Sequence, residues 1–243
     1  MQIIIITVVI IVIAITTVAC GGYLSPKYKK AISIAQEYLN QKYDQEMVYK
    51  DIRKAPIDPG FYYITFLSTK PPEIEFEVVV YDSLTIPEKA RDFGSGDISA
   101  DNYYLKVFEY LMNEHLDADV NHLWGGSVTV HVRTESGGLV AISSELNDNM
   151  PLDEMESIID GYWITITEHD TSLENKSLEV LAKELFDFIQ IVNNEGFTPE
   201  CITYYIYDDG SDLKYIRFND IGEIDSVTQI MERLESEFGK YMQ

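Results

Sequence analysis

The sequence predicts an α+β fold on three observations. Apolar residues recur at helical spacing in Lys27–Tyr43, where Tyr28, Ile32, Ala35 and Leu39 form a stripe widened by Ala31, Ile34 and Tyr38. Glu73–Tyr81 alternates like a half-buried strand, with Ile74, Phe76, Val78 and Val80 on one face. The C-terminal part reads strand, helix, strand, strand, helix, an order that suggests a βαββα ferredoxin-like arrangement.

Taken in order, the helix Lys27–Tyr43 is followed by strands over Glu46–Arg53, Gly60–Leu67 and Glu73–Tyr81. The second starts after the turn residues Asp58-Pro59-Gly60. One helix against an antiparallel meander covers one sheet face. Ser83–Gly96 reads as a loop. A second helix, Ser99–Leu116, is built on Tyr104, Val107, Phe108 and Leu111, and Asp117-Ala118-Asp119 reads as its end. Ser127–Arg133 is a strand with Val128, Val130 and Val132 on one side. Glu135–Asn149, with Gly137-Gly138 and one short strand-like run at Leu139–Ser143, reads as the domain boundary. Gly161–Glu168 is a strand. Thr171 and Glu174 have capping-box spacing ahead of a helix on Leu178, Leu181, Leu185, Phe188 and Val192, which Gly196 stops. Cys201–Tyr207 and Leu213–Phe218 form a hairpin around Asp208-Asp209-Gly210, and a last helix from Asp225 or Ser226 carries Val227, Ile230, Leu234 and Phe238. The expected domains are therefore residues 27–134 and 150–243, behind a leader (1–19) and a spacer (20–26).

The leader is the strongest localising signal. Ile3–Ala19 carries no charge and ends at Cys20-Gly21-Gly22. Its length is near the minimum for a spanning helix, about 17 residues. Thr17-Val18-Ala19-Cys20 resembles a bacterial lipobox, whose usual form is an aliphatic residue, a small residue, Ala or Gly, then Cys; Thr17 departs at the first position. The resemblance implies that residues 1–19 are a signal peptide removed before Cys20, and that Cys20 carries the lipid. Secretory leaders open with a basic segment, whereas this one opens Met1-Gln2 and its nearest cations are Lys27, Lys29 and Lys30 on the far side. An uncleaved anchor, or a helix with the opposite topology, therefore remains an alternative. Leader, size and helix–meander start together resemble the small, uncharacterised surface lipoproteins of Gram-positive bacteria, which implies the extracytoplasmic face of the cell membrane.

Composition narrows function further. The chain holds 18 Lys and Arg against 41 Asp and Glu, a net charge of −23. Nucleic-acid binding needs a basic face, so it is excluded. The two cysteines leave Cys201 without a partner if Cys20 is acylated, so the fold stands on packing alone and residues 23–243 are expected to be a soluble monomer. Cys201 opens an apolar strand with no adjacent base and reads as buried rather than nucleophilic.

The remaining constellations are local. His115, Asp119 and His122 fall at i, i+4 and i+7, but the expected helix end breaks their alignment, and no metal or cofactor is expected. Glu73, Glu75 and Glu77 form a carboxylate row suited to a cation or basic partner, or simply to the wet face of a sheet. In Cys201–Tyr207 the face with Ile202, Tyr204 and Ile206 is expected inside, leaving Tyr205 and Tyr207 as an aromatic platform for a protein or a cell-wall glycan. No G-x-S-x-G, H-E-x-x-H, phosphate-loop, G-x-G-x-x-G or C-x-x-C motif occurs. The sequence thus favours a tethered binding module, of inhibitor or immunity type, over an enzyme. The alternative is a cell-envelope hydrolase or its accessory subunit, which a cleft gathering His115 or His122 with acids would support.

Overall fold

The computed structural model describes residues 25–54, 60–86, 100–124, 128–134, 146–147, 150–159, 162–168, 177–206 and 214–238. The leader, Cys20, Tyr207 and the Asp208–Asp212 hairpin tip lie outside them. Among the described residues no helix is long and apolar enough to cross a membrane. Helices and two small sheets make an α+β protein. The contacts divide it into two units, Met1–Pro87 and Glu88–Gln243. The division falls well before the expected boundary at 135–149, because the second helix and fourth strand belong to the second unit's fold rather than to the meander.

The first unit contains α1 (Pro26–Lys42) and an antiparallel sheet of β1 (Met47–Lys54), β2 (Phe61–Ser68) and β3 (Glu75–Tyr81), in that order. Ser25 caps α1 by accepting from the Tyr28 amide at 3.3 Å, and Pro26 occupies the first turn, where a missing N–H costs nothing. The predicted stripe is buried through Ala31, Ala35 and Leu39. It meets the sheet's inner face, where Met47, Ile52, Tyr62, Ile64, Phe66, Phe76, Val78 and Val80 are all buried. A bulge between Tyr49 and Asp51 adjusts the β1 register. Buried Ser68 ties the β2–β3 turn: its hydroxyl accepts from the Ile74 amide at 2.8 Å and donates to the Pro72 carbonyl at 3.0 Å.

The second unit contains α2 (Tyr103–Trp124), β4 (Val128–Thr134), α3 (Leu152–Ile158), β5 (Tyr162–Glu168), α4 (Leu178–Asn194), β6 (Cys201–Ile206), β7 (Lys214–Asn219) and α5 (Val227–Phe238). The sheet runs β4-β5-β6-β7, with β5 and β6 parallel and the flanking pairs antiparallel. The order β5-α4-β6-β7-α5 is the predicted βαββα. The sheet differs from a ferredoxin-like sandwich in one respect: α4 returns the chain directly beside β5, whereas in the ferredoxin-like layout another strand separates that pair. Phe108, Met112, Leu116 and Val120 of α2, Leu181, Leu185, Phe188 and Val192 of α4, and Ile230 and Leu234 of α5 share a core with Ile164, Ile166, Ile202, Tyr204, Ile216 and Phe218 of the sheet.

Two local expectations change. α2 continues through Asp117-Ala118-Asp119 to Trp124, because Leu116 and Val120 extend its buried stripe by another turn while Asp117 and Ala118 face water. α4 begins at Leu178, capped by Ser177, which accepts from the Val180 amide at 3.3 Å; the expected capping box at Thr171 and Glu174 lies outside the described residues.

Candidate binding surfaces

In the first unit one cluster of charged side chains closes one end of the sheet. The Asp82 carboxylate follows β3 and accepts from Lys27 of α1 and Lys54 of β1, each at 2.8 Å, and from the Tyr62 hydroxyl. These three donors hold the Asp82 carboxyl far below the usual carboxylate range, the two lysine bonds contributing most. Lys27 is raised in return, mainly through its bond to Asp82. Burial pushes the Tyr62 hydroxyl up, and the bond to Asp82 adds to that. Tyr28 stands edge-on to Tyr62 with centroids 5.4 Å apart. The cluster joins the helix N-terminus to all three strands; it is a clasp in which one carboxylate holds two ammonium groups.

The expected carboxylate row does not persist. Glu73 lies before β3 begins, and Glu75 is exposed. Glu77 is half-buried and accepts three bonds from the Arg53 guanidinium, at 2.8 and 3.1 Å from Nη2 and 3.2 Å from Nε. Arg53 also lies over the Tyr63 ring at 4.7 Å. Beyond Glu77 the same face turns apolar at buried Val79. The alternation was legible; the cross-strand arginine that neutralises Glu77 was not, since it depends on register.

In the second unit the inner face of β6 is the predicted one, with Ile202 and Tyr204 buried. On the other face Tyr205 is half-buried, and its ring packs against Tyr215 of β7 at 5.7 Å. Tyr215 itself is 58% exposed. Among the described residues, register across the hairpin sets Tyr205 opposite Tyr215, while Tyr207 of the expected platform lies outside them. The clue was the alternation of Leu213–Phe218, which puts Tyr215 and Arg217 on the wet face. Cys201 is buried, as its strand position implied, with its sulfur 3.8 Å from the Thr203 hydroxyl.

Because α2 runs on, His115, Asp119 and His122 do share one helix side. Among the described residues no three His, Cys, Asp or Glu side chains are grouped to hold a metal ion. His115 turns instead to the α4–β6 loop. Its Nε2 lies 3.4 Å from Glu195 Oε2, and its ring stands edge-on to Phe197 at 5.4 Å. Both partners of that contact are nearly half exposed. The same loop is held from the other side by Glu156 of α3, whose Oε1 accepts from the Thr198 amide at 2.6 Å, the Thr198 hydroxyl at 3.1 Å and the buried Tyr162 hydroxyl. Burial, then the bond to Glu156, drives the Tyr162 hydroxyl far above its ordinary value, so it remains a neutral donor.

Charge is divided very unevenly between the units. Residues 1–87 hold 8 Lys and Arg against 9 Asp and Glu, a net of −1, while residues 88–243 hold 10 against 32, a net of −22. No protein-family model, curated protein or solved structure matches the chain.

Proposed function

We propose that the protein is a membrane-anchored extracytoplasmic binding module whose second unit captures a cationic protein. The charge division carries this reading. A module kept acidic only for solubility has no reason to gather a net −22 in one unit and leave the other near neutrality. A field of one sign speeds encounter with a partner of the opposite sign. The exposed Tyr215 beside Tyr205 supplies an anchor of the kind that dominates interfaces, a large ring that also attracts Lys and Arg over its face. The apolar leader ending at Cys20 supports the anchorage. The test is affinity capture with the full-length protein taken in detergent from its own membrane. A co-purifying basic protein that is released as salt rises is the expected result. Recovery of neutral or acidic partners, indifferent to salt, overturns the reading.

The hydrolase alternative draws on the pairing of His115 with Glu195. Its test is His115→Ala in an assay of cell-wall hydrolysis. Hydrolysis by the wild type and its loss in the variant would favour it over capture.

A further inference from the structure

We infer that the lysine-bearing start of α1 is a docking surface for the anionic bilayer that holds the anchor. The inference rests on the anchored reading above. α1 carries Lys27, Lys29, Lys30 and Lys42 against one acid, Glu37. Lys27 is committed to Asp82, and that bond, with the Ser25 cap and the Tyr28–Tyr62 contact, fixes the first turn on the sheet. Lys29 and Lys30 are exposed on this fixed turn. Only Gly21–Leu24 separate Cys20 from Ser25. Five chain steps reach at most about 18 Å even when extended. The tether therefore holds Ser25 within little more than two screening lengths of the lipid headgroups, each about 8 Å at physiological salt, with Lys29 and Lys30 about one helical turn further along the chain. The sign suits this helix: the first unit is almost neutral overall and its leading helix is basic, whereas the second unit's −22 is repelled by anionic lipid. Each lysine near such a surface is worth on the order of fivefold in binding.

The test uses the full-length protein with its native anchor, inserted into lipid nanodiscs of phosphatidylcholine alone or mixed equally with phosphatidylglycerol. A water-soluble amine reagent labels exposed lysines, and mass spectrometry reads Lys29 and Lys30 against Lys183, an exposed lysine of the second unit. In phosphatidylglycerol discs the ratio should fall by at least about threefold. It should recover at about 0.5 M salt, where the screening length is roughly 4 Å. Lys30→Glu should restore labelling of Lys29 at least about twofold, and Lys30→Gln should do so partly without reversing charge. Equal labelling in both lipids overturns the inference. The intact mass of the same sample separates this from the anchor reading. Protected lysines on a chain that retains residues 1–19 and carries no lipid support the docking surface and overturn acylation. A chain absent from both membrane and discs overturns the two together.

Discussion

Asp82 and Glu156 each gather several donors from different elements, and both contacts lead to a pH-dependent prediction. Asp82 accepts from Lys27, Lys54 and Tyr62, so its folded-state acidity is far stronger than in an unfolded chain. A carboxyl depressed in this way stabilises the fold above its unfolded value of about 3.9, and the contribution is lost as pH falls toward the folded value. Asp82→Asn should therefore lower the urea midpoint by a constant amount between pH 7 and pH 5, and the gap should narrow below about pH 4. A gap unchanged down to pH 2 would mean that the carboxylate's charge is not what the clasp uses. Glu156 gathers three donors, among them a buried phenol, onto one oxygen. Tyr162→Phe removes a bond to a charged acceptor and should cost about 1.5–3 kcal/mol at pH 7 by chemical denaturation. The sign on the alkaline side is opposite to that of Asp82. A phenol raised when folded stabilises below its unfolded value of about 10, and that share disappears as pH climbs. The difference between wild type and Tyr162→Phe should then shrink above pH 10.

At the scale of elements, the helices and strands follow from period and from turn chemistry, while their ends and partners follow from contacts that sequence spacing does not encode. Gly196 ends α4 with φ +84°, as its position after Val192 implied. A Cβ there meets nothing within 4 Å, so Gly196→Ala is strained by the backbone alone and should cost about 1–2 kcal/mol in thermal or urea unfolding, with Gly196→Asn milder. Phe188 of α4 is completely buried, and Phe188→Ala should cost about 3–5 kcal/mol in the second unit. The apolar stripe made α1 and the body of α4 legible, though not the Ser177 cap that starts α4. It ran one turn further in α2 than the aspartates suggested, because Asp117 and Asp119 sit beside the stripe rather than in it. The seven-residue α3 was missed: it buries Met155 alone, too little to show a period. Of the candidate site, Tyr205 was legible from alternation. Its partner Tyr215, the neutralisation of Glu77 by Arg53 and the pairing of His115 with Glu195 all required tertiary register, 80 residues apart in the last case.

At the scale of the whole molecule, the proposed anchor and an uneven division of charge lie in one chain. If Cys20 is the lipid site, Cys20→Ser should abolish fatty-acid incorporation and leave a precursor that keeps residues 1–19. Unlabelled wild type would make the leader a spanning helix. The charge division gives the more discriminating experiment once a cationic partner is in hand. Long-range steering depends on net charge within a unit, and each exposed reversal changes it by two. Glu114, Asp117 and Glu179 are exposed acids on α2 and α4 of the second unit, whereas Glu73 and Glu75 are exposed acids of a unit already near neutrality. Reversing the first three to Lys should slow association several-fold and flatten its dependence on salt. Reversing the other two should change the on-rate little. Tyr215→Ala should raise the off-rate instead, since a contact made only in the complex acts after encounter. Equal effects per reversal from the two sets would show that the partner reads total charge and not the second unit, and an on-rate indifferent to salt would remove steering from the account altogether.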